Sequence, residues 1–183
     1  MEKNQIEAAK KDILAFGPLY EKYYKAIFIY IFHRVTDKEI AFDLTSQVFL
    51  KAMTAIKNFE FKGLPFSSWL YRIAYNELAQ LFRDQKLSRT ISIHDVHLNN
   101  LVEEIDTGNY EEYLPEILKI IKFLPEEDLQ LMEMRYFENK SFREVSEILM
   151  ISENNAKVRA HRILEKIKQQ IKNKKNQSYG KGN

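Results

Sequence analysis

The chain has 183 residues, a formal net charge of +2 and no cysteine, which excludes disulfide bonds and thiolate metal sites. Its hydrophobic fraction of 45% and charged fraction of 30% are typical of a globular protein with a packed core. The longest apolar run, residues 26–32, is far shorter than the ~20 residues that span a bilayer, and the N-terminus lacks the apolar stretch of a secretory signal. We therefore expect a cytoplasmic protein that does not insert into membranes.

Helical periodicity runs along most of the chain, and no window shows the alternation of a β-strand, which predicts an all-α fold. Apolar residues spaced by three and four predict a buried helix face over residues 19–31. The capping-box pattern of residues 36–39 predicts the start of a second helix. A third helix is expected from residues 65–67 to about Lys86. These helices make up a predicted N-terminal domain, residues 1–86.

Residues 87–112 lose this periodicity. Between residues 91 and 113 every charged side chain is acidic, among Ser, Asn and His. This composition is typical of a flexible, acidic linker between two domains. The following residues 113–175 predict a second helical domain, and the polar residues 176–183 predict a disordered tail.

The second domain has the pattern of a helix-turn-helix. Pro125 begins one helix, Ser141 opens a capping box for a short helix, and Ser152 is placed to cap a long final helix. The small residues Ala156 and Ala160 allow the last two helices to pack closely. An antiparallel helical bundle with a solvated polar face is the alternative that this pattern leaves open.

The final helix is strongly basic, since residues 156–175 contain eight Lys and Arg residues against one acidic residue. Such a stripe indicates a polyanionic ligand. At the start of a recognition helix, Asn pairs with adenine and Arg with guanine, whereas Lys adds phosphate contacts without sequence information. The predicted contacts to duplex DNA are Asn154, Asn155, Lys157, Arg159, Arg162 and Lys166.

Residues 66–76 (FSSWLYRIAYN) carry a second candidate nucleic-acid surface. Their apolar side chains, including Trp69, form a face that belongs to the core. The other face is lined by polar, cationic and aromatic side chains at helical spacing, namely Arg72, Tyr75, Asn76 and Arg83. Exposed aromatic rings beside cations suit unstacked bases, because stacking and phosphate attraction act together.

With these segments in place, the sequence resembles the extracytoplasmic-function group of bacterial sigma factors. Four segments carry the likeness in the family's order: residues 43–52 (DLTSQVFLKA), 66–76, 124–127 (LPEE) with 135–137 (RYF), and 142–162. The likeness covers residues 15–86 and 113–172. It implies two helical domains, called sigma regions 2 and 4, and a protein that directs RNA polymerase to promoters with −35 and −10 elements. It also implies three partners, which are core RNA polymerase, promoter DNA and an anti-sigma factor, and a monomer when these are absent.

The resemblance further implies roles for particular residues. The family's polymerase-docking segment corresponds to Asp43, Leu44, Gln47, Val48 and Phe49. The loop of residues 59–66 corresponds to the element that captures a flipped base of the −10 region, with Lys62 and Gly63 at the strand. Arg72, Tyr75, Asn76 and Arg83 continue this surface, and residues 154–162 correspond to the −35 reader.

Two departures from the family's pattern bear on these roles. Ser46 and Gln47 stand where a glutamine and an acidic residue are commoner, which removes one negative charge from the docking segment. Met150 stands where the helix-turn-helix usually has glycine, so we expect either strain at a positive φ or an altered turn.

Other classes of protein fit the sequence less well. An enzyme is disfavoured because no glycine-rich phosphate loop, matched nucleophile and base, or carboxylate pair stands out, and no cofactor is predicted. His94 and His97 lie in the linker without a third ligand, so no metal site is predicted. A one-component regulator is disfavoured by residues 66–76, and an inhibitor of another sigma factor by the basic helix.

Overall fold

The computed structural model describes residues 2–61, 63–85, 101 and 110–179. Within these residues every regular element is helical and no β-strand occurs, which confirms the predicted all-α class. The chain divides into two compact units, residues 1–92 and 93–183. The division falls inside the predicted linker, most of which lies outside the described part of the chain, and the limits of that linker stay a prediction.

The described residues of the first unit form four helices. They are α1 (Glu2–Lys11), α2 (Gly17–Val35), α3 (Lys38–Ala55) and α4 (Phe66–Gln85), with 3₁₀ turns at Ile13–Phe16 and Ile56–Asn58. The third predicted helix is confirmed as α4, within a residue at each end. Each helix contributes side chains to a dry core that includes Ile6, Leu19, Ile27, Tyr30, Val48, Phe49, Phe66, Leu70 and Leu78. Burial of this apolar surface is the main force that holds the unit together.

Helix α3 begins one residue later than a capping box with Thr36 as its N-cap would require. Thr36 adopts a left-handed conformation with φ 56° and closes α2 by donating its backbone N–H to the Phe32 carbonyl. Asp37 is therefore the N-cap of α3, and its carboxylate accepts from the backbone N–H groups of Glu39 and Ile40 at 2.9 and 3.0 Å. The predicted helix start near residue 37 is confirmed, whereas Thr36 as the capping residue is wrong.

Four further helices lie within residues 110–179 of the second unit. They are α5 (Tyr110–Lys122), α6 (Glu126–Met132), α7 (Phe142–Leu149) and α8 (Glu153–Tyr179), with a π-helical turn at Glu133–Phe137. The core of this unit includes Ile117, Ile121, Leu131, Met132, Tyr136, Val145, Ile148, Ala156, Ala160, Ile167 and Ile171. Pro125 is the N-cap of α6 rather than a residue of its first turn.

Two features of the second unit differ from the sequence-based prediction. Helix α5 begins at Tyr110, inside the segment predicted as a linker, and continues through Pro115; Tyr113, Ile117 and Ile121 bury one face of it. Helix α8 continues to Tyr179, four residues into the segment predicted as a disordered tail. Residues 173–177 are Asn, Lys, Lys, Asn and Gln, and Lys and Gln favour a helix well enough to extend it.

The helix-turn-helix forms as predicted. The Ser141 hydroxyl accepts from the Glu144 backbone N–H at 3.2 Å, and the Glu144 carboxylate accepts from the Ser141 backbone N–H at 2.9 Å. This reciprocal capping box begins α7. Ser152 caps α8 by accepting from the Asn155 backbone N–H at 3.1 Å. The buried methyl groups of Ala156 and Ala160 let α8 pack closely in the unit.

Two other kinds of feature are absent from the part of the chain that the structure describes. No helix there is long and apolar enough to cross a membrane. No group of three or more His, Asp or Glu side chains there is placed to hold a metal ion. The linker residues His94 and His97 lie outside the described residues.

Candidate nucleic-acid and polymerase interfaces

The recognition helix α8 presents most of its predicted DNA contacts to solvent. Asn154, Asn155, Lys157, Arg162 and Lys166 are exposed, whereas the alanine and isoleucine residues of α8 are buried. Lys157 forms an ion pair with Glu153 one turn earlier, with 2.6 Å between Nζ and Oε1. An exposed pair of this kind is weak and easily exchanged for a phosphate contact.

Arg159 differs from the other predicted contacts because its side chain is only 21% exposed. Its Nε and Nη2 atoms both donate to Asp128 Oδ1, at 2.9 and 2.6 Å, and Nη1 donates to Glu127 Oε2 at 3.1 Å. Partial burial acts to lower the pKa of Arg159, but the hydrogen bonds and charges of Asp128 and Glu127 outweigh it and raise the pKa. The guanidinium therefore joins α8 to the first turn of α6.

A concave surface of about 460 Å³ lies beside this ion pair. Its lining combines apolar side chains with polar, mostly basic ones. The lining residues are Leu124, Pro125, Asp128, Asn155, Arg159, Arg162, Ile163 and Lys166. Three cations against one carboxylate make this surface attractive to an anionic group such as a phosphate.

The candidate −10 surface lies on α4 and the loop before it. Gly63 has φ 72°, a conformation that a residue with a side chain adopts only under strain. Asn76 and Arg83 are exposed, whereas Arg72 and Tyr75 are half-buried, and each of these two side chains has an interaction partner. Lys62, the remaining predicted contact, lies outside the described residues.

An aromatic cluster underlies this loop. The ring centroids of Phe59 and Phe66 are 5.2 Å apart, and Trp69 lies 5.0 Å from Phe59 and 5.3 Å from Phe66. Phe59 and Phe66 are buried, whereas Trp69 packs against both rings but is only half-buried, so its predicted place in the core is met in part. Phe61, by contrast, leaves 54% of its surface exposed, and the sequence analysis did not single it out.

The structure separates the five predicted polymerase contacts into two groups. Asp43 and Gln47 are exposed, whereas Leu44, Val48 and Phe49 are buried in the core of the first unit. The buried three pack beneath this face of α3, and their predicted contact with polymerase stays a prediction.

The exposed face of α3 also carries two large apolar residues that sequence reasoning missed. Phe42 is 41% exposed and stacks on Phe28 with 4.6 Å between ring centroids, and Leu50 is 63% exposed. Helix α3 has apolar residues around most of its circumference, so spacing alone did not show which of them face solvent. Exposed apolar side chains on one helix face are typical of a protein-binding surface.

A helix-turn-helix whose second helix presents exposed asparagines and cations defines a DNA-binding protein. Comparison with known proteins gives the family. The model of Sigma-70 region 2 matches residues 19–88, and that of Sigma-70 region 4 matches residues 114–167. The chain therefore belongs to the sigma-70 family and to its extracytoplasmic-function group, whose members direct promoter-specific initiation of transcription.

Individual relatives agree with this assignment. The chain is 34% identical to RNA polymerase sigma factor SigZ of Bacillus subtilis, over 82% of this chain and 84% of SigZ. It is 29% identical to ECF RNA polymerase sigma factor BldN of Streptomyces coelicolor, over 81% of this chain but only 57% of BldN. Among solved structures, CnrH in complex with the cytosolic domain of CnrY shares the fold, with a TM-score of 0.60, 18% identity and coverage of 92% of this chain and 95% of that one.

Proposed function

We propose that this protein binds core RNA polymerase through the exposed face of α3, opens the −10 region with its first unit and reads the −35 duplex with α8. The observation that carries the proposal is that two differently equipped surfaces occupy separate units. One is a basic recognition helix suited to duplex DNA, and the other is a loop and helix with exposed aromatic and cationic groups suited to an unstacked strand.

At the −35 element, Asn154 and Asn155 at the start of α8 are the proposed base contacts. A bidentate contact from Asn to adenine contributes roughly 1–3 kcal/mol of discrimination. Arg162 and Lys166, together with Lys157, are exposed for base or phosphate contacts. Arg159 has a different proposed role, since its ion pairs with α6 hold the recognition helix in place.

At the −10 element, the loop that ends at Phe66 holds the proposed capture site. Gly63 lets the backbone approach a base closely, and Lys62 supplies a cation for the adjacent phosphate. Asn76 and Arg83 are exposed along α4 to continue the contact. Arg72 and Tyr75 are the remaining proposed contacts. Their side chains are half-buried, and the part that stays exposed is the part proposed to meet DNA. Flipping a base costs a few kcal/mol of unstacking, which stacking on an aromatic ring and attraction to cations offset.

Core RNA polymerase is the proposed partner of the α3 face formed by Phe42, Asp43, Gln47 and Leu50. Two apolar side chains flanking a carboxylate and an amide give this face both burial energy and directional contacts. An anti-sigma factor is proposed as the inhibitor that covers such surfaces in the absence of a signal. We further propose that the chain acts in the cytoplasm, has no catalytic activity or cofactor of its own, and is a monomer when free of partners.

Run-off transcription with purified bacterial core RNA polymerase on genomic promoter fragments tests the proposal. Addition of the protein is expected to yield discrete transcripts that core polymerase alone does not produce. The variant Arg162→Glu reverses one exposed charge on α8, and it is expected to lose these transcripts while still binding polymerase. The absence of specific transcripts with the unmodified protein would overturn the proposal.

A further inference from the structure

The carboxylate of Glu2, at the start of α1, accepts two hydrogen bonds from α2. Lys22 donates its Nζ at 2.7 Å, and the Tyr23 hydroxyl donates to the same oxygen atom. The backbone N–H of Phe66, the first residue of α4, also helps to lower the pKa of this carboxylate. Partial burial acts to raise the pKa of Glu2, but these hydrogen bonds outweigh it and hold the pKa below its ordinary value.

The contact with Phe66 places a negative charge at the N-terminal end of α4. The first backbone N–H groups of a helix have no partner within the helix, and a carboxylate there is stabilised by the helix dipole. Pro65 precedes Phe66 and has no N–H to offer. Glu2 therefore places its charge near the start of α4 from a helix about sixty residues earlier in the sequence, at the point where the candidate −10 loop ends.

Helix α1 also contacts the other end of that loop. It packs on the 3₁₀ turn Ile56–Asn58, directly before Phe59, and it buries Ile6 and Ala9 in the unit. The two ends of the loop are joined through the aromatic cluster, since Phe66 lies 5.2 Å from Phe59 and 5.8 Å from the ring of Tyr23. Both ends of the loop thus rest on groups that α1 contacts directly.

We propose that α1 is a brace that holds the −10 loop ready to capture a base, and that Glu2 is its positioning residue. The proposal rests on the function proposed above for that loop. Without the carboxylate, Tyr23 and Lys22 lose their acceptor, the Tyr23 ring that packs on Phe66 is held less firmly, and the loop spends less time in the capture conformation. A lower population of the competent conformation weakens the apparent affinity for the captured strand by the same factor.

The test uses the full-length protein bound to core RNA polymerase and a fork-junction promoter DNA whose −10 non-template strand is unpaired. Glu2→Ala removes the acceptor, and Tyr23→Phe removes one donor while keeping the ring. The matched control is Glu7→Ala, because Glu7 lies on the same helix. Among the ion pairs of the described residues, Glu7 takes part only in the one with Lys10, which lies on α1 as well. Loss of charge-assisted hydrogen bonds at the helix end predicts affinity for the fork junction about tenfold weaker in Glu2→Ala.

Affinity for core polymerase and for −35 duplex is expected to stay unchanged in Glu2→Ala, which separates a positioning role from general loss of structure. In the double variant Glu2→Ala, Tyr23→Phe, the two effects are expected to be less than additive because they act through one contact. Fork-junction binding by Glu2→Ala equal to that of Glu7→Ala would overturn the brace, and so would a parallel loss of polymerase binding. Failure of the unmodified protein to bind the fork junction would instead overturn the function proposed for the loop.

Discussion

Arg159 of the recognition helix and Asp128 of α6 form a two-donor ion pair, with Nε and Nη2 of the arginine 2.9 and 2.6 Å from one carboxylate oxygen. The pair is partly buried, since the exposed fractions of the two side chains are 21% and 25%. It joins the helix that carries the proposed −35 contacts to the helix that precedes the helix-turn-helix. The orientation of α8 therefore depends on Arg159, a residue that the sequence alone predicts to be a DNA contact.

Arg159→Ala is expected to destabilise the second unit. It leaves the Asp128 carboxylate partly buried without its cation, which costs roughly 1–3 kcal/mol. Thermal unfolding of the full-length protein measures this loss of stability. Asp128→Ala is expected to give a similar loss, and the double variant is expected to lose less than the sum of the two single variants. Lys157→Ala is the control, because this exposed side chain is expected to affect DNA binding without changing the melting temperature. A stable Arg159→Ala protein that has lost only DNA affinity would instead make Arg159 a direct DNA contact.

Met150→Gly is expected to stabilise the turn between α7 and α8. Met150 has φ 56° and ψ 41°, and it leaves 76% of its surface exposed, so little packing is lost with the side chain. Relief of the left-handed strain is worth about 1 kcal/mol. Met150→Ala keeps the Cβ atom and is therefore expected to show no gain. Equal melting temperatures for the Gly and Ala variants would show that the turn is unstrained.

The features that the sequence predicted are local ones. The capping box of Ser141 and Glu144 spans three residues and needs no knowledge of the rest of the fold. The link between Arg159 and Asp128 joins residues 31 positions apart and depends on how α8 packs against α6. In the same way, the sequence of α3 shows apolar residues but not which are buried, so Phe49 and Leu50 were distinguished only by the packing of the other helices.

Asn154→Ala and Lys166→Ala are expected to weaken −35 binding in different ways. A phosphate contact adds to the salt dependence of affinity, so Lys166→Ala is expected to reduce the slope of log K against log salt concentration by about one. Asn154→Ala is expected to leave this slope unchanged and to reduce discrimination between −35 sequences. Duplex binding measured across a series of salt concentrations checks both. Unchanged slopes in both variants would place Lys166 away from the phosphates.

The contacts of the Glu2 carboxylate predict that the stability of the folded protein depends on pH. The pKa of Glu2 is lower in the folded protein than its ordinary value of 4.5, so its contribution to stability is complete above that value. As the pH falls through the lower folded-state pKa, the carboxylate becomes protonated and the contribution is lost. The difference in melting temperature between the unmodified protein and Glu2→Ala is therefore expected to be constant near neutral pH and to shrink below about pH 4. A difference that is the same at all pH values would assign the effect to lost packing.

Leu50→Glu is expected to weaken binding to core RNA polymerase without destabilising the protein. Leu50 is 63% exposed, so a glutamate at this position is solvated in the free protein but would bury a charge in the proposed interface. The control Asn4→Glu adds the same charge to an exposed position of α1 and is expected to bind polymerase normally.

Val48→Ala should show the opposite behaviour. Val48 is fully buried, and its truncation is expected to cost about 1–3 kcal/mol of stability while leaving polymerase affinity of the folded protein unchanged. Melting temperature and affinity for core polymerase, measured for all three variants, separate the surface of α3 from the core beneath it. If Leu50→Glu binds polymerase as tightly as Asn4→Glu does, the polymerase contact lies on another face of the first unit.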